Sequence, residues 1–131
     1  MENRNAFAEP GTIKEGGVQI QLNTYAVNNV KVLNLVGRFD TLNVGPVQAW
    51  IEEAVEVEPA NLVVDLQDVP FVDSTGLATL VTGMKRSREK GGDLRLCGLQ
   101  QPLRLIFELT RLDKAFEIFN SEEEAVQAFA A

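Results

Sequence analysis

Strand-like and helix-like segments alternate along almost the whole chain, and this alternation constrains the fold more than any other feature. Val18 to Val36 reads as two strands around Asn28-Asn29, because apolar and polar residues alternate and asparagines tolerate the positive φ of a tight hairpin turn. The order then continues as helix, strand, helix, strand, helix, strand, helix. Strands separated by helices form parallel sheets with right-handed crossovers. We therefore predict a single α/β domain with a mixed, mostly parallel sheet, an N-terminal antiparallel hairpin strand and about four flanking helices.

Each predicted helix has an apolar face, and several have recognisable start signals. Asn43 is a candidate N-cap of the first helix, and Pro46 falls in its first turn, where a missing N–H costs little. Ser121 and Glu124 match the capping-box pattern ahead of the last helix. The side chains predicted to point inward are Val44, Val47, Ile51, Ala54 and Val55 in the first helix, Leu77, Leu80, Val81 and Met84 in the second, Leu103, Ile106 and Phe107 in the third, and Val126 and Phe129 in the fourth.

The first 17 residues differ in character from the rest of the chain. They are polar, carry prolines and glycines, and offer few apolar side chains to bury. We therefore predict a flexible N-terminal arm at 1–17 and one folded domain at 18–131. The centre of the domain is predicted at Leu62–Val64, because a continuous apolar run is typical of a strand covered on both faces.

The composition argues against several classes of function. The chain has no histidine and one cysteine, Cys97, which removes histidine-based catalytic triads, disulfides and thiolate zinc sites, and we assign Cys97 no redox role. Nineteen acidic and twelve basic residues give a net charge of −7, which disfavours nucleic acid and anionic membrane surfaces as partners. No apolar run approaches the roughly 20 residues that span a bilayer. We expect a cytoplasmic domain without direct membrane insertion and with little conventional catalytic equipment.

Two loops carry acidic residues where α/β proteins commonly place their functional sites. Gly37–Asp40 follows the second strand and Val69–Ser74 follows the central strand, and sites in such sheets form at the carboxyl ends of strands. Taken alone, Asp73 or Ser74 is a helix cap whose side-chain oxygen accepts a free backbone N–H. Asp40 taken alone is a solvated loop carboxylate near a helix start.

Several segments together resemble one known family. Residues 71–77, which read Phe-Val-Asp-Ser-Thr-Gly-Leu, are similar to the signature of STAS domains, in particular of bacterial anti-sigma factor antagonists. Gly37–Asp40 resembles the family's earlier Gly-x-Leu-Asp loop, with Phe39 in place of the usual aliphatic residue. Leu62–Leu66 resembles the strand before the signature, and Gly91–Leu96 resembles the turn and strand after the helix that follows it. The resemblance runs from about Val18 to the C-terminus and leaves the arm outside.

The resemblance implies a partner switch without catalysis by this chain, and with no cofactor and no metal site. In this family the unphosphorylated protein binds an anti-sigma factor that is itself an ATP-dependent serine kinase. Phosphorylation releases the antagonist, and a metal-dependent PP2C-type phosphatase restores it. By its match to the signature, Ser74 is the implied phosphoacceptor, with Thr75 as the second choice. The implied partner-binding positions on the two acidic loops are Asp40, Asp73, Phe39 and Gly76.

Two alternatives stay open at this point. A STAS subunit of a membrane transport complex would have the same fold, and Ser74 would then be a contact residue or a cap. A receiver-like protein would instead hold Mg²⁺ between Asp65, Asp68 and Asp73, since oxygen ligands suit that ion. The receiver-like reading is disfavoured because the three aspartates follow one strand and no lysine lies on the later strand around Leu94.

Overall fold

A computed structural model of the chain describes residues 20–130. The predicted arm at 1–17 and the start of the predicted first strand at Val18 lie outside the described residues. Within them the elements follow the predicted order: β1 (Gln21–Val27), β2 (Val30–Val36), α1 (Val44–Ala54), β3 (Asn61–Asp68), α2 (Ser74–Glu89), β4 (Asp93–Cys97), α3 (Gln101–Leu109), a 3₁₀ turn (Leu112–Lys114), β5 (Ile118–Phe119) and α4 (Glu122–Ala128).

The five strands form one mixed sheet in the order β1-β2-β3-β4-β5. β1 pairs antiparallel with β2, and the remaining neighbours are parallel, which confirms the predicted fold class. Asn28 and Asn29 take the positive φ values expected of the hairpin turn, 52° and 68°. β3 lies at the centre, and the three residues Leu62–Val64 are all 0% exposed, as predicted for a strand covered on both faces.

The helices cover the two faces of the sheet unequally. In the main core, the inward side chains of α1, α2 and α3 pack against one face of the sheet. Leu33 lies on this face. The second core lies on the other face, where Ala125 and Val126 of α4 join Val32 and Val63. The predicted inward side chains are buried (Val44, Val47, Ile51, Ala54, Val55, Leu80, Met84, Leu103, Phe107 and Val126) or partly buried against a core (Leu77, Val81, Ile106 and Phe129).

Two predicted caps differ in detail from the structure. Asn43 occupies the N-cap position of α1, but its side chain makes no cap hydrogen bond and donates instead to the Arg38 carbonyl at 2.9 Å. Ser121 caps α4 as predicted by accepting from the Glu124 N–H. In a capping box the Glu124 carboxylate would accept from the N–H of Ser121. Here it accepts from the N–H of Asn120, one residue earlier. A buried asparagine is thus used to close the loop before α1, where sequence alone suggested a cap.

Gly92 is required by a close backbone approach at the start of β4. A Cβ atom at this position would lie 2.1 Å from the carbonyl oxygen of Ala60, which also accepts the Asp93 N–H at 3.0 Å. At Gly45 in α1, by contrast, a Cβ atom would meet nothing within 4 Å. The two glycines therefore form a matched pair for a steric test.

We expect Gly92→Ala to lower the free energy of unfolding by about 1–3 kcal/mol, because the backbone of Ala60 has to move away from the added methyl group. Gly45→Ala should leave stability unchanged or raise it by about 0.5–1 kcal/mol, since alanine is the better helix former. Urea denaturation of both variants measures the difference. Equal effects of the two substitutions would contradict the close approach at Gly92.

Cys97 is buried on β4 in the second core. Burial raises the pKa of its thiol, and the negative charge of Asp65 acts in the same direction. Since the thiolate is the reactive form, the native protein protects this cysteine both sterically and electrostatically.

We expect a thiol reagent to modify native Cys97 at least about 1,000-fold more slowly than the chain unfolded in concentrated guanidinium chloride, because reaction requires opening of the core. Absorbance after mixing with a disulfide reagent measures both rates. Rapid native modification would show that the second core opens far more easily than its burial indicates.

Candidate functional site

The two acidic loops meet where β2 and β3 end. Phe39 and Val72 form an isolated parallel bridge between them. The Phe39 N–H donates to the Phe71 carbonyl at 3.0 Å, and the Asp73 N–H donates back to the Phe39 carbonyl at 3.3 Å. The parallel pairing of β2 with β3 thus continues into the loops and sets the first one against the start of α2.

Asp73 ties the first loop to the helix. It is the N-cap of α2, and its Oδ1 accepts from the Gly76 N–H at 2.9 Å. Its Oδ2 accepts from both the N–H and the hydroxyl of Thr41, at 2.9 and 3.0 Å. The bond from Gly76, together with those from Thr41, holds the pKa of Asp73 below its usual value, although desolvation opposes this effect. The capping role suggested by the sequence is therefore present, and it includes a second segment of the chain.

Ser74 and Thr75 differ in what their hydroxyls do. Ser74 is the first residue of α2, is exposed, and makes no side-chain hydrogen bond to any residue between 20 and 130. The hydroxyl oxygen of Thr75 lies 2.9 Å from that of Thr41, and Thr75 is half-buried. Of these two adjacent hydroxyls, the one on Ser74 is thus the more accessible to an incoming group.

Asp40 is engaged within its own loop. Its Oδ1 accepts from the Leu42 N–H at 3.1 Å, and its Oδ2 lies 3.5 Å from Nε of Arg38. Its carbonyl accepts from the Asn43 N–H at 2.8 Å. Asp40 therefore shapes the turn that carries Thr41, and its charge is balanced by Arg38.

Phe39 and Gly76 are buried where the two loops pack against each other. The Phe39 side chain is 0% exposed. A Cβ atom on Gly76 would lie 2.7 Å from the Phe39 carbonyl oxygen and 2.7 Å from a methyl group of Val72. Neither residue presents a side chain to a partner, so any part that they play in binding is positional.

Three further residues present exposed surface on these loops, the first of which continues to Asn43 in the structure, and the sequence predicted no role for any of the three. Phe71 is 36% exposed, and the Arg38 guanidinium lies 4.1 Å from the centre of its ring. Leu42 is 70% exposed. Their only signal in the sequence was their position on or next to two loops that follow strand ends, where sites in α/β sheets form. They give the rim of the site a mixed apolar and cationic surface.

Thr41 is the functional candidate that sequence reasoning missed. It contacts both Asp73 and Thr75, yet lies 32 and 34 residues away from them in the chain. Its only signal was a hydroxyl directly after Asp40, at the end of the first acidic loop.

The three aspartates of the receiver-like alternative do not converge. Asp65 is buried on β3 and accepts from the Gln67 N–H, Asp68 contacts the Asn34 side chain, and Asp73 caps α2. Within residues 20–130, no group of three or more cysteine and acidic side chains is arranged to hold a metal ion. In the same part of the chain, every helix is too short or too polar to cross a membrane.

Comparison with known proteins identifies the family of the chain. The STAS domain family model matches residues 21–125. The anti-sigma-B factor antagonist of Bacillus subtilis is 31% identical over 100 residues, which cover 76% of this chain and 90% of that protein.

Solved structures show the same fold. The crystal structure of an anti-sigma factor antagonist from Mycobacterium paratuberculosis superposes with a TM-score of 0.77 at 25% identity, covering 86% of this chain and 95% of that one. The phosphorylated form of the Bacillus cell fate determinant SpoIIAA superposes with a TM-score of 0.65 at 22% identity, covering 82% and 97%. The family match, the relative and the fold agree, and the chain belongs to the STAS domain family and, within it, to the anti-sigma factor antagonists.

Proposed function

We propose that this chain works by partner switching, in which its unphosphorylated form binds an anti-sigma factor and phosphorylation of Ser74 releases it. The observation that carries the proposal is the exposed hydroxyl of Ser74, which has no partner in the described part of the chain, beside the bonded hydroxyl of Thr75. The name of the Bacillus subtilis relative supports the choice of partner. The existence of SpoIIAA in a phosphorylated form supports the choice of modification.

The surroundings of Ser74 suit a modification that changes charge without refolding the domain. A phosphate brings about −1.5 to −2 charges to the start of α2, where the helix dipole favours an anion by about 0.3–2 kcal/mol. The Gly76 N–H is already bonded to Asp73, whose negative charge repels the phosphate. The phosphate should therefore remain at the surface and add negative charge there, with the cap of α2 intact.

Phosphorylation of Ser74 would weaken the complex with the partner and leave the domain itself folded. An unpaired charge buried in an interface costs about 2–5 kcal/mol, which corresponds to roughly 30- to 4,000-fold in affinity. A partner docked over Ser74 would meet Phe71, Leu42 and Arg38 at the same time, since all lie on the two joined loops. Apolar and cationic groups of this kind supply interface anchors, and the Ser74 hydroxyl supplies the switch.

In this scheme the catalytic steps belong to other proteins. The anti-sigma factor acts as the ATP-dependent serine kinase, and a PP2C-type phosphatase removes the phosphate. This chain takes part as substrate and binding partner in the cytoplasm. The complex with the anti-sigma factor is therefore the place where variants of Ser74 should be compared.

We expect Ser74→Ala to bind the anti-sigma factor as tightly as the unmodified protein, and Ser74→Asp to bind about tenfold more weakly or worse, because the aspartate places one charge in the interface. Ser121→Asp is the matched control, since Ser121 is another exposed serine at a helix start and aspartate also caps helices. Isothermal titration calorimetry of the unmodified protein and the three variants measures the four affinities.

Equal affinities of the unmodified protein and Ser74→Asp would contradict the switch. Phosphopeptide mass spectrometry of the protein from its own cells gives the second check, because Ser74 should carry phosphate in one growth condition and not in another. An unmodified Ser74 in every condition, with a constant membrane-protein partner, would favour the subunit of a membrane transport complex.

We expect the contribution of the Asp73 carboxylate to stability to disappear in acid. The folded-state pKa of Asp73 lies below its unfolded value, so the stabilisation is fully present above the unfolded pKa of about 3.9 and is lost as the pH falls through the folded value. Denaturation of the unmodified protein and Asp73→Asn between neutral and strongly acidic pH measures this. The stability difference should be largest near neutrality and should shrink below about pH 4; a difference independent of pH would contradict the assignment.

A further inference from the structure

Thr41 links the cap of α2 to the residue that follows Ser74. Its N–H and its hydroxyl both contact Oδ2 of Asp73, at 2.9 and 3.0 Å, and its hydroxyl oxygen lies 2.9 Å from that of Thr75. These contacts join the loop before α1 to the first turn of α2. Ser74 lies between Asp73 and Thr75 in the chain and takes no part in them.

The direction of the hydrogen bonds follows from the number of protons. A threonine hydroxyl has one proton to donate, and the carboxylate of Asp73 is a stronger acceptor than a neutral hydroxyl. The Thr41 proton therefore points to Asp73, and the bond between the two threonines uses the proton of Thr75. The result is a chain of donors that runs from Thr75 through Thr41 to the carboxylate of Asp73.

This chain of donors restrains Thr75 as a nucleophile. An attacking hydroxyl has to align its oxygen with the phosphoryl group and give its proton to the base of the kinase. Thr75 would first have to break its bond to Thr41, and its β-branched side chain has few rotamers available. Its carbonyl is also held, because the Thr79 hydroxyl donates to it at 2.9 Å.

We propose that Thr41 is a positioning residue that directs phosphorylation to Ser74 by keeping the hydroxyl of Thr75 bonded. This inference rests on the proposed function, because it concerns the choice between two acceptors in the same switch. Thr41 would then contribute to the choice between Ser74 and Thr75 as phosphoacceptor without accepting phosphate itself.

Thr41→Val removes the hydroxyl at nearly constant shape and keeps the N–H that bonds Asp73, whereas Thr41→Ser keeps the hydroxyl. Both variants and the unmodified protein are expressed in the native cells, and phosphopeptide mass spectrometry measures the ratio of phosphate on Thr75 to phosphate on Ser74. We expect Thr41→Val to raise this ratio about two- to tenfold, the equivalent of one lost hydrogen bond, and Thr41→Ser to leave it near the original value. Adding Thr75→Val to Thr41→Val should abolish the phosphothreonine signal.

A second measurement needs no kinase. Three-bond couplings in NMR report the side-chain rotamer of Thr75, which should be single in the unmodified protein and in Thr41→Ser, and averaged in Thr41→Val. Thermal unfolding confirms that each variant is folded before its rotamer is compared.

The outcomes separate the two proposals. Phosphate on Ser74 with an unchanged ratio in Thr41→Val, or a single Thr75 rotamer in that variant, overturns the role of Thr41 and leaves the switch intact. Absence of phosphate on Ser74 in the unmodified protein under every growth condition overturns the switch and, with it, the acceptor choice assigned to Thr41.

Discussion

The carboxylate of Asp73 accepts hydrogen bonds from two segments that are far apart in the chain, Gly76 on its own helix and Thr41 on the neighbouring loop. One oxygen serves each segment, so a single ionised group both starts α2 and fixes the loop before α1. Its lowered pKa is the electrostatic counterpart of these bonds. The same anchor holds the Thr41 hydroxyl that contacts Thr75.

Asp73 can bond both segments because the backbone at the start of α2 lies close to the backbone of the loop before α1. Gly76 lets the start of α2 reach the carbonyl of Phe39, and the buried Phe39 ring fills the space below the two loops. Parallel pairing of β2 with β3 delivers both loops to one edge of the sheet. A rigid base of this kind suits a switch in which added charge, and not a change of fold, alters partner binding.

Local patterns in the sequence were sufficient for most of the fold. The hairpin at Asn28-Asn29, the central strand at Leu62–Val64 and the cap at Asp73 all depend on residues within a few positions of one another, and each is present in the structure. The cap hydrogen bond expected from the Asn43 side chain is absent, because this buried side chain donates to the Arg38 carbonyl instead.

The sequence by itself determined the order of strands and helices, the family resemblance and the identity of Ser74 as the candidate acceptor, because periodicity, caps and motifs are properties of neighbouring residues. Only the tertiary structure decided what surrounds that acceptor. The bonds from Thr41 to Asp73 and Thr75 span 32 and 34 residues, and they exist because strand register brings the ends of β2 and β3 together. The burial of Phe39 depends on the same packing, which no local pattern specifies.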